Sequence, residues 1–446
     1  MNFPVNELYT STEVLLFLSQ RYALIIQATL LIDPVLNVGK SDMKKELQIS
    51  IIKELMSQLD EGRNVDAGVQ FKMPTDSYVC PERASREQQE FFRNHPQLIG
   101  LSGDLPSPGS YLTNDDIGVP ILATRDKDGV FHAFLNACRH RSVKVAQEER
   151  GTKNVFTCPF HHWSYANTGN LLTIPNNDHF GDVDKSCMGL VELPAVEQSG
   201  LLWVHPNPQA SLDVDELLGP LAEEFPSFGM QTQVSVGQTT IEKNLNWKFA
   251  NDTFGETYHF GKLHKDTLGR LYYGNNLHFE EFGRHHRFVT ANRGIDAMRT
   301  LPESDWDIGK CTFVLYHLFP NVQLITSRAS TTLIRIYPSN NNPGQSVTRI
   351  GFYYAPEIAA EADDLETDAA NNDAYDFSEG RASLSAALEV FKSTVENEDY
   401  VMGEMQQKAA ESGLLKEIIF GRNEPALHHF HNNYREALGE PLLERA

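Results

Sequence analysis

The sequence predicts an α+β fold in which a small antiparallel β domain precedes a larger domain of helices packed on an antiparallel sheet. Three observations support this prediction. The 446 residues, of which 41% are hydrophobic, are enough for two to three domains with real cores. Between residues 111 and 208, short alternating runs are separated by turn signals. After residue 208, strand-like runs and long helical segments follow one another, as in α+β domains.

Residues 1–70 look mostly helical, and we expect them to form an N-terminal arm that packs on the body of the protein or on a neighbouring subunit. The stretch 15–31 is apolar in parts, but Ser19, Gln20, Arg21 and Gln27 interrupt it. A membrane span is therefore not expected. The first residues also lack the basic segment, apolar run and small-residue cleavage site of a secretory signal.

Residues 71–208 are predicted to form the small β domain together with its connector. The connector, residues 72–108, is rich in Pro, Ser and charged side chains and contains one amphipathic helix near residues 87–93. Strands are predicted at 119–124 and 130–134, on either side of the Asp128-Gly129 turn.

Residues 209–446 are predicted to form the larger domain. It opens with a helix over 211–225 and a strand over 234–242, and 313–325 is a further strand-like run. The runs 331–337 and 347–354 are expected to pair around a turn at 340–344. Eight carboxylates between residues 361 and 379 predict a solvated loop. A helix follows, with Leu384, Leu388, Phe391 and Val395 on one face.

Charge and cysteine content limit the possible partners. A net charge of −22 makes nucleic acid and anionic membranes unfavourable partners. An acidic surface suits a basic electron donor, although many cytosolic proteins are simply acidic. Five cysteines, of which two are claimed by the cluster described next, leave an odd number and argue against a disulfide framework. We therefore expect a reducing, cytoplasmic location.

The first chemical motif is an interleaved pair of Cys–His units. Cys138-Arg139-His140 is followed after seventeen residues by Cys158-Pro159-Phe160-His161. One thiolate and one imidazole from each of two loops match a mixed-ligand [2Fe–2S] cluster. Zinc is the alternative, because it also accepts two Cys and two His. Zinc fingers, however, space their ligands as C-x2–4-C and H-x3–5-H.

The second motif is Glu256-Thr257-Tyr258-His259, followed by His264. Two histidines plus a distant carboxylate suit an open Fe(II) centre that binds O2. A spacing of five places the two histidines well over 100° apart on a regular helix, so we expect the helix to break, most simply at Gly261. An isolated motif of this kind also fits an amphipathic helix with structural histidines.

The sequences around both motifs resemble the alpha (catalytic) subunits of Rieske non-heme iron ring-hydroxylating oxygenases, the family of naphthalene dioxygenase and the choline and carnitine monooxygenases. The resemblance rests on residues 136–141, 158–165 with Gly169, 200–204, and 246–264. It implies a Rieske domain followed by a START/Bet v1-like catalytic domain. One departure is His162, where the family usually has Gly, and another is Asp252, where it often has Asn.

The resemblance assigns the site residues. Cys138, His140, Cys158 and His161 would hold the [2Fe–2S] cluster. His259 and His264 would bind Fe(II) with a carboxylate on a distant helix. Glu398 and Asp399 both fall near that helix's apolar face, and the family's run of an acidic pair, Glu and Gln matches 398–399, 404 and 407. This match selects Asp399, with Glu398 as the fallback.

The resemblance also implies an electron path and partners. Glu256 would bridge His259 and His161 of the adjacent subunit, with Asp252 near the iron. Electrons would come from NAD(P)H through a separate reductase and perhaps a ferredoxin, since the chain shows no dinucleotide fingerprint. We expect a homotrimer, while an additional beta subunit is less favoured.

The expected activity is O2-dependent hydroxylation of an organic, most simply aromatic, substrate, with dioxygenation favoured over monooxygenation. The alternative is monooxygenation or demethylation of a quaternary or methylated amine, which an aromatic cage beside an acid would indicate. Phe254, Phe260, Tyr316 and Phe319 are candidate lining residues, or else ordinary core. A non-catalytic Rieske electron carrier is a further alternative, but it leaves the second motif without a use.

Overall fold

The computed structural model describes residues 43–339, 342–360 and 384–446. Most of the predicted N-terminal arm (1–42), the turn at 340–341 and the acidic 361–379 loop lie outside these ranges. In the part of the chain that is described, no helix is long and apolar enough to cross a membrane.

The strands are short in the first half of the chain and longer in the second. In chain order they are β1 Phe71–Pro74, β2 Gln97–Leu101, β3 Ser110–Asn114, β4 Ile121–Arg125, β5 Phe131–Leu135, β6 Arg150–Thr152, β7 Val155–Thr157, β8 Ser164–Ala166, β9 Leu171–Thr173, β10 Glu192–Leu193, β11 Ala195–Gln198, β12 Leu201–Val204, β13 Val234–Lys243, β14 His278–Phe282, β15 His285–Ala291, β16 Thr312–Leu318, β17 Val322–Thr326, β18 Ser330–Ser339, β19 Asn342–Tyr354, β20 Glu417–Phe420 and β21 Glu444–Arg445.

The helices lie mainly outside the strand-rich segment 97–204. They are α1 Lys45–Glu61, α2 Pro81–Glu87, α3 Val214–Leu218, α4 Leu221–Glu224, α5 Trp247–Asp252, α6 Ile295–Met298, α7 Ile308–Cys311, α8 Leu384–Thr394, α9 Tyr400–Glu411 and α10 Pro425–Ala437. A π-helical turn, Val395–Asp399, joins α8 to α9.

The larger part of the protein is built on a seven-stranded antiparallel sheet. Its order is β13-β19-β18-β17-β16-β15-β14, so β14 to β19 form a meander and β13 closes the far edge. Its buried residues pack on α5 and α10, the helices that flank the second motif. The expected pairing of 331–337 with 347–354 is present as β18 and β19. A mixed helix and antiparallel sheet fold is thus confirmed.

Smaller antiparallel sheets form the segment that contains the two Cys–His units. One has the order β10-β5-β4-β3-β6, a second is β7-β8-β9, and a third is β11-β12-β2. Strand β1 instead pairs with β20 and β21 at the other end of the chain. The predicted division at residues 70/71 and 208/209 stays a prediction.

Two predicted elements are divided in the structure. The expected helix over 211–225 is two short helices, α3 and α4, because Gly219-Pro220 interrupts it. The run 313–325 is a hairpin of β16 and β17 rather than one strand. Helix α1, from the expected arm, packs Ile51, Ile52 and Leu55 against Val289 on the sheet of the same chain.

Candidate metal centres

The two Cys–His units lie in two loops with matching backbone geometry. The amide of Cys138 donates to Val143 O (2.8 Å) and that of Cys158 to Trp163 O (2.8 Å). Each loop then turns through a residue with positive φ, Ser142 at 59° and His162 at 61°. The two loops therefore hold Cys138 and Cys158 in the same backbone setting, and the histidine follows two residues later in the first loop and three residues later in the second.

The donor atoms of these loops fit an iron–sulfur cluster. Cys138 and Cys158 are buried, and burial together with the neighbouring Cys138 raises the pKa of the Cys158 thiol. The rings of His140 and His161 are 4.5 Å apart, and both Nδ1 atoms are buried without a hydrogen-bond partner. Trp163 stacks on His140 at 5.2 Å. The two thiols are neighbours and so are the two imidazoles, and these donor types match the mixed ligand set of a Rieske cluster.

His162 takes the left-handed conformation that explains why glycine is usual there. Its side chain is exposed, while its amide donates to Cys158 O at 3.0 Å. We expect His162→Gly to leave the free energy of unfolding within about 0.5 kcal/mol, because relief of strain offsets the entropy cost of Gly. We expect His162→Val to lose about 1–2 kcal/mol. Thermal unfolding followed by cluster absorbance checks both, and equal stability of the two variants would contradict the turn geometry.

The second motif is a short turn rather than a continuous helix. Helix α5 ends at Asp252, and a 3-10 turn over Tyr258–Gly261 carries His259. The helical turn ends at Gly261, so the expected break between His259 and His264 is present. A following loop closes around the turn, since a Cβ on Gly269 would lie 2.7 Å from Phe260 O and 3.0 Å from His264 O. Glycine is required there by this close approach.

His259, His264 and Asp399 meet at one point. The ligand atoms of the three residues all lie within 4.8 Å of one another. His264 Nε2 is 3.0 Å and His259 Nε2 is 3.4 Å from Asp399 Oδ1. Asp399 comes from the π-helical turn between α8 and α9, a feature frequent at functional sites. Two imidazoles and one carboxylate on one side of a centre form the facial set of non-heme Fe(II) oxygenases.

A second carboxylate holds the outer nitrogen of each histidine. His259 Nδ1 is 2.5 Å from Glu256 Oε1, and His264 Nδ1 is 2.7 Å from Glu398 Oε2. Thr267 Oγ1 donates to the same Glu398 oxygen at 3.0 Å. Such contacts set the tautomer and ring orientation of metal-binding histidines. No sequence motif points to Thr267, and the sequence predicts Glu398 only as the fallback metal ligand.

The electrostatics of this cluster favour a bound cation. Burial opposes protonation of His259, but hydrogen bonds to Asp399 and Glu256 outweigh it and raise its pKa to about 10. The same balance raises the pKa of His264, and both histidines lower the pKa of Asp399 despite its burial. The site therefore attracts positive charge, which a divalent metal would supply in place of protons.

Comparison with known protein families supports the same assignment for both centres. A family model described as the Rieske [2Fe-2S] domain matches residues 95–194. A second, described as the ring hydroxylating alpha subunit (catalytic domain), matches residues 230–440. The chain belongs to the ring-hydroxylating Rieske oxygenase alpha subunits. A Rieske oxygenase alpha subunit carries a [2Fe–2S] cluster and a mononuclear iron, and the two donor sets described above fit them.

Several relatives of this alpha subunit are monooxygenase components. It is 29% identical over 210 residues to the carnitine monooxygenase oxygenase subunit of Acinetobacter baumannii, covering 47% of this chain and 57% of that protein. It is 29% identical over 196 residues to the glycine betaine monooxygenase oxygenase subunit of Pseudomonas aeruginosa, covering 44% and 45%. The matches span about half the length of these curated relatives.

The fold of this Rieske oxygenase subunit is also found in a solved structure. A quaternary ammonium Rieske monooxygenase with a bound inhibitor superimposes with a TM-score of 0.66 at 19% identity, covering 82% of this chain and 95% of that one. At this identity the likeness shows the shared fold alone.

Two side chains bind the carboxylate of Asp252. Tyr78 Oη donates to Asp252 Oδ2 at 2.8 Å, and His431 Nε2 lies 2.8 Å from Asp252 Oδ1. These contacts join α5, α10 and the connector. His431 lies on α10, so its contact with Asp252 ties α10 to α5.

A row of buried polar side chains crosses the sheet and joins α10 to α5. His286, His317 and Gln323 are neighbours on β15, β16 and β17. His429 Nδ1 lies 3.1 Å from His286 Nδ1, and Gln323 Nε2 donates to Asn251 Oδ1 at 2.8 Å. Burial keeps the pKa of both sheet histidines well below its usual range. These neutral side chains fix α5, which leads directly to the iron turn.

The aromatic surroundings of the second centre differ in part from the expected set. Phe260 lies against His259 and His264, with ring centroids 5.0 and 5.5 Å away. Phe254 is half-buried and packs in the neighbouring apolar cluster. Tyr316, in contrast, points to the other face of the sheet, where it contacts Arg287 and Glu224. Phe319 packs in the main core. Neither of these last two residues lines the centre.

Proposed function

We propose that this chain is the terminal oxygenase component of a Rieske non-heme iron system, and that it monooxygenates a quaternary or methylated amine. The convergence of His259, His264 and Asp399 within 4.8 Å, on a chain that also carries the four-residue Rieske donor set, supports the oxygenase assignment. The relatives named for carnitine and glycine betaine support the substrate class. They favour this alternative over dioxygenation of an aromatic compound.

In this proposal Cys138 and Cys158 bind one iron of the cluster, and His140 and His161 bind the other through Nδ1. His259 and His264 bind the mononuclear iron through Nε2 with Asp399. When bound, the cluster passes single electrons and the mononuclear iron binds and activates O2.

The residues around the centre orient and shield it. Glu256 and Glu398 accept the Nδ1–H of His259 and His264, so that each Nε2 lone pair faces Asp399. Glu256 Oε2 also accepts the amide of His259 at 3.2 Å and that of Tyr258, which fixes the start of the turn. Phe260 covers one side of both histidines and limits access of water.

We propose that electrons cross between subunits through Glu256. Among the hydrogen bonds and ion pairs of the described residues, none joins Glu256 to His140 or His161 of the same chain. A ring of three chains, each presenting His161 to the next chain's Glu256, would supply the contact. A solved relative is reported with inter-subunit electron transfer. The donor is a separate NAD(P)H-dependent reductase, with or without a ferredoxin.

An arene substrate is the second candidate. The rings nearest the proposed iron ligands, Phe260 and then Tyr272 and Phe313, are apolar, and the nearby carboxylates Glu256, Glu398 and Asp399 are paired with histidines. An aromatic lining serves the cation of an amine by cation–π contact and serves an arene by stacking.

The test combines metal content with turnover. We expect about three iron atoms and two acid-labile sulfides per chain, with a Rieske-type electron paramagnetic resonance signal after reduction. Turnover with a reductase, O2 and a panel of quaternary ammonium compounds and arenes then separates the two candidates. Zinc without sulfide would overturn the oxygenase proposal, and oxidation of arenes alone would overturn the amine assignment.

A further inference from the structure

Tyr272 lies one aromatic ring away from the proposed iron ligands. Its ring meets Phe260 edge-on at 6.2 Å, and Phe260 in turn contacts His259 and His264. On its other side Tyr272 meets Phe313 of β16 at 5.5 Å. The backbone is fixed by its amide, which donates to Leu268 O at 2.9 Å, and by a bridge to Asn292. The Tyr272 side chain therefore has a defined place beside the centre.

The hydroxyl of Tyr272 has no hydrogen-bond partner within the described ranges of the chain. Other enclosed tyrosines of this region are paired: the hydroxyl of Tyr78 with Asp252, that of Tyr434 with Glu87 and that of Tyr400 with Thr348. Burial alone raises the pKa of Tyr272 to about 12, so the hydroxyl keeps its proton. An enclosed donor without a partner is costly unless a ligand or water accepts its hydrogen bond.

Tyr272 also retains accessible surface. Part of the Tyr272 side chain is exposed, although the surrounding residues exclude enough water from it to raise its pKa. Phe313, on the other side of Tyr272, is half-buried as well. The accessible surface of Tyr272 therefore adjoins the rings of Phe260 and Phe313, and Phe260 contacts both histidines. A substrate that binds at the iron and extends past Phe260 would meet Tyr272.

We propose that Tyr272 is a specificity-determining residue whose hydroxyl donates a hydrogen bond to an acceptor oxygen of the bound substrate. The inference rests on the proposed function and deepens it. The substrate class is an amine whose cationic group lies against the rings of Phe260 and Phe313 and whose carboxylate or hydroxyl oxygen reaches Tyr272. Cation–π contact holds the first group, and the neutral phenol orients the second.

The chain offers a matched control beside Tyr272. Tyr273 Oη donates to Asp296 Oδ2 at 2.6 Å on the exposed side of the same segment. Tyr272→Phe and Tyr273→Phe each remove one hydroxyl from adjacent residues. The probes are glycine betaine, which has a cation and a carboxylate, and tetramethylammonium, which keeps the cation and lacks the oxygen. Calorimetric titration of the iron-loaded oxygenase without reductase or O2 measures binding apart from turnover.

We expect Tyr272→Phe to weaken binding of glycine betaine by roughly ten- to hundredfold, the value of one hydrogen bond to a charged group. Affinity for tetramethylammonium should stay unchanged, and Tyr273→Phe should alter neither. Equal betaine affinity in the wild type and Tyr272→Phe overturns the inference while the oxygenase assignment stands. If the wild type binds neither probe, the proposed amine class and this inference fail together.

Discussion

Glu256→Ala should reduce product formation at least about hundredfold while both metal centres stay loaded. Removal of an outer-shell partner of a metal-binding histidine alone costs about 10–100-fold in activity or affinity. Here Glu256 Oε1 lies 2.5 Å from His259 Nδ1, and the same carboxylate is the proposed route for electrons from the adjacent subunit. The substitution removes both roles of Glu256, and each loss lowers the rate of product formation.

The experiment separates electron transfer from metal binding. The cluster of each variant is reduced, the protein is mixed with substrate and O2, and reoxidation of the cluster is followed with product formed in one turnover. Iron and sulfide are counted in the same sample. Asp266→Ala is the matched control, because this nearby carboxylate is exposed and pairs with the exposed side chains of Lys265 and Arg270. Normal single turnover in Glu256→Ala would contradict the bridge role.

Glu256→Gln refines the interpretation. The amide keeps an oxygen for the backbone N–H groups of Tyr258 and His259, but it removes the charge that stabilises the His259 ring. We expect its turnover to stay well below wild type, with the turn intact by circular dichroism. Recovery of full activity in this variant would mean that Glu256 acts only by capping the turn.

Spacing along the chain was enough to predict the break in the second motif. Two histidines five residues apart cannot share one face of a regular helix, and the turn does end at Gly261. The same argument does not predict the second role of Glu256, which precedes the 3-10 turn and accepts the amides of Tyr258 and His259. Helical periodicity does not predict whether a side chain will accept the first amides of a turn, because such a hydrogen bond depends on the folded conformation of the turn.

The choice between Glu398 and Asp399 shows where helical periodicity fails. Both lie in the π-helical turn Val395–Asp399, which adds residues per turn and shifts the faces of α8 relative to α9. An apolar face traced with 3.6 residues per turn therefore does not continue through it. Only the matching acidic run favoured Asp399, and the structure places Asp399 between the two histidines and Glu398 behind His264.

Tyr316 illustrates a second limit of prediction from sequence. Its neighbour His317 faces the polar row beneath α5, so alternation along β16 sends Tyr316 to the opposite face. The sequence predicts a single strand-like run over 313–325, whereas the structure has a hairpin there. A single run does not show which of its positions face the iron. The register of β15, β16 and β17 is needed to decide this, because a shift of one residue exchanges the two faces.

Glu87→Gln should destabilise the protein by about 3–5 kcal/mol, the cost of breaking a buried ion pair from one side. Lys248 is fully buried, and its Nζ lies 2.6 Å from Glu87 Oε1. Trp247 Nε1 donates to Glu87 Oε2 at 2.7 Å, and the Tyr434 hydroxyl donates to the same carboxylate. Burial already lowers the pKa of Lys248. Without Glu87 that cation loses the carboxylate with which it pairs.

The measurement is urea unfolding of the wild type, Glu87→Gln and Glu90→Gln. Glu90 follows in the same helical segment but is exposed, so its substitution should stay within about 0.5 kcal/mol. Equal midpoints for all three proteins would contradict the proposed role of the buried pair. A lowered midpoint for Glu90→Gln as well would assign the loss to the helix rather than to the pair.

The double variant Glu87→Gln/Lys248→Met tests the origin of the loss. Gln keeps an acceptor for Trp247 and Tyr434, and Met removes the unpaired cation, so we expect most of the lost stability to return.

The activity of the double variant should not return together with its stability. Trp247 and Lys248 open α5, whose far end carries Asp252 and leads into the Glu256–His259 turn. A pair far from the chemistry thus controls how rigidly the iron residues are held, and iron retention after dialysis should fall in Glu87→Gln before global unfolding begins.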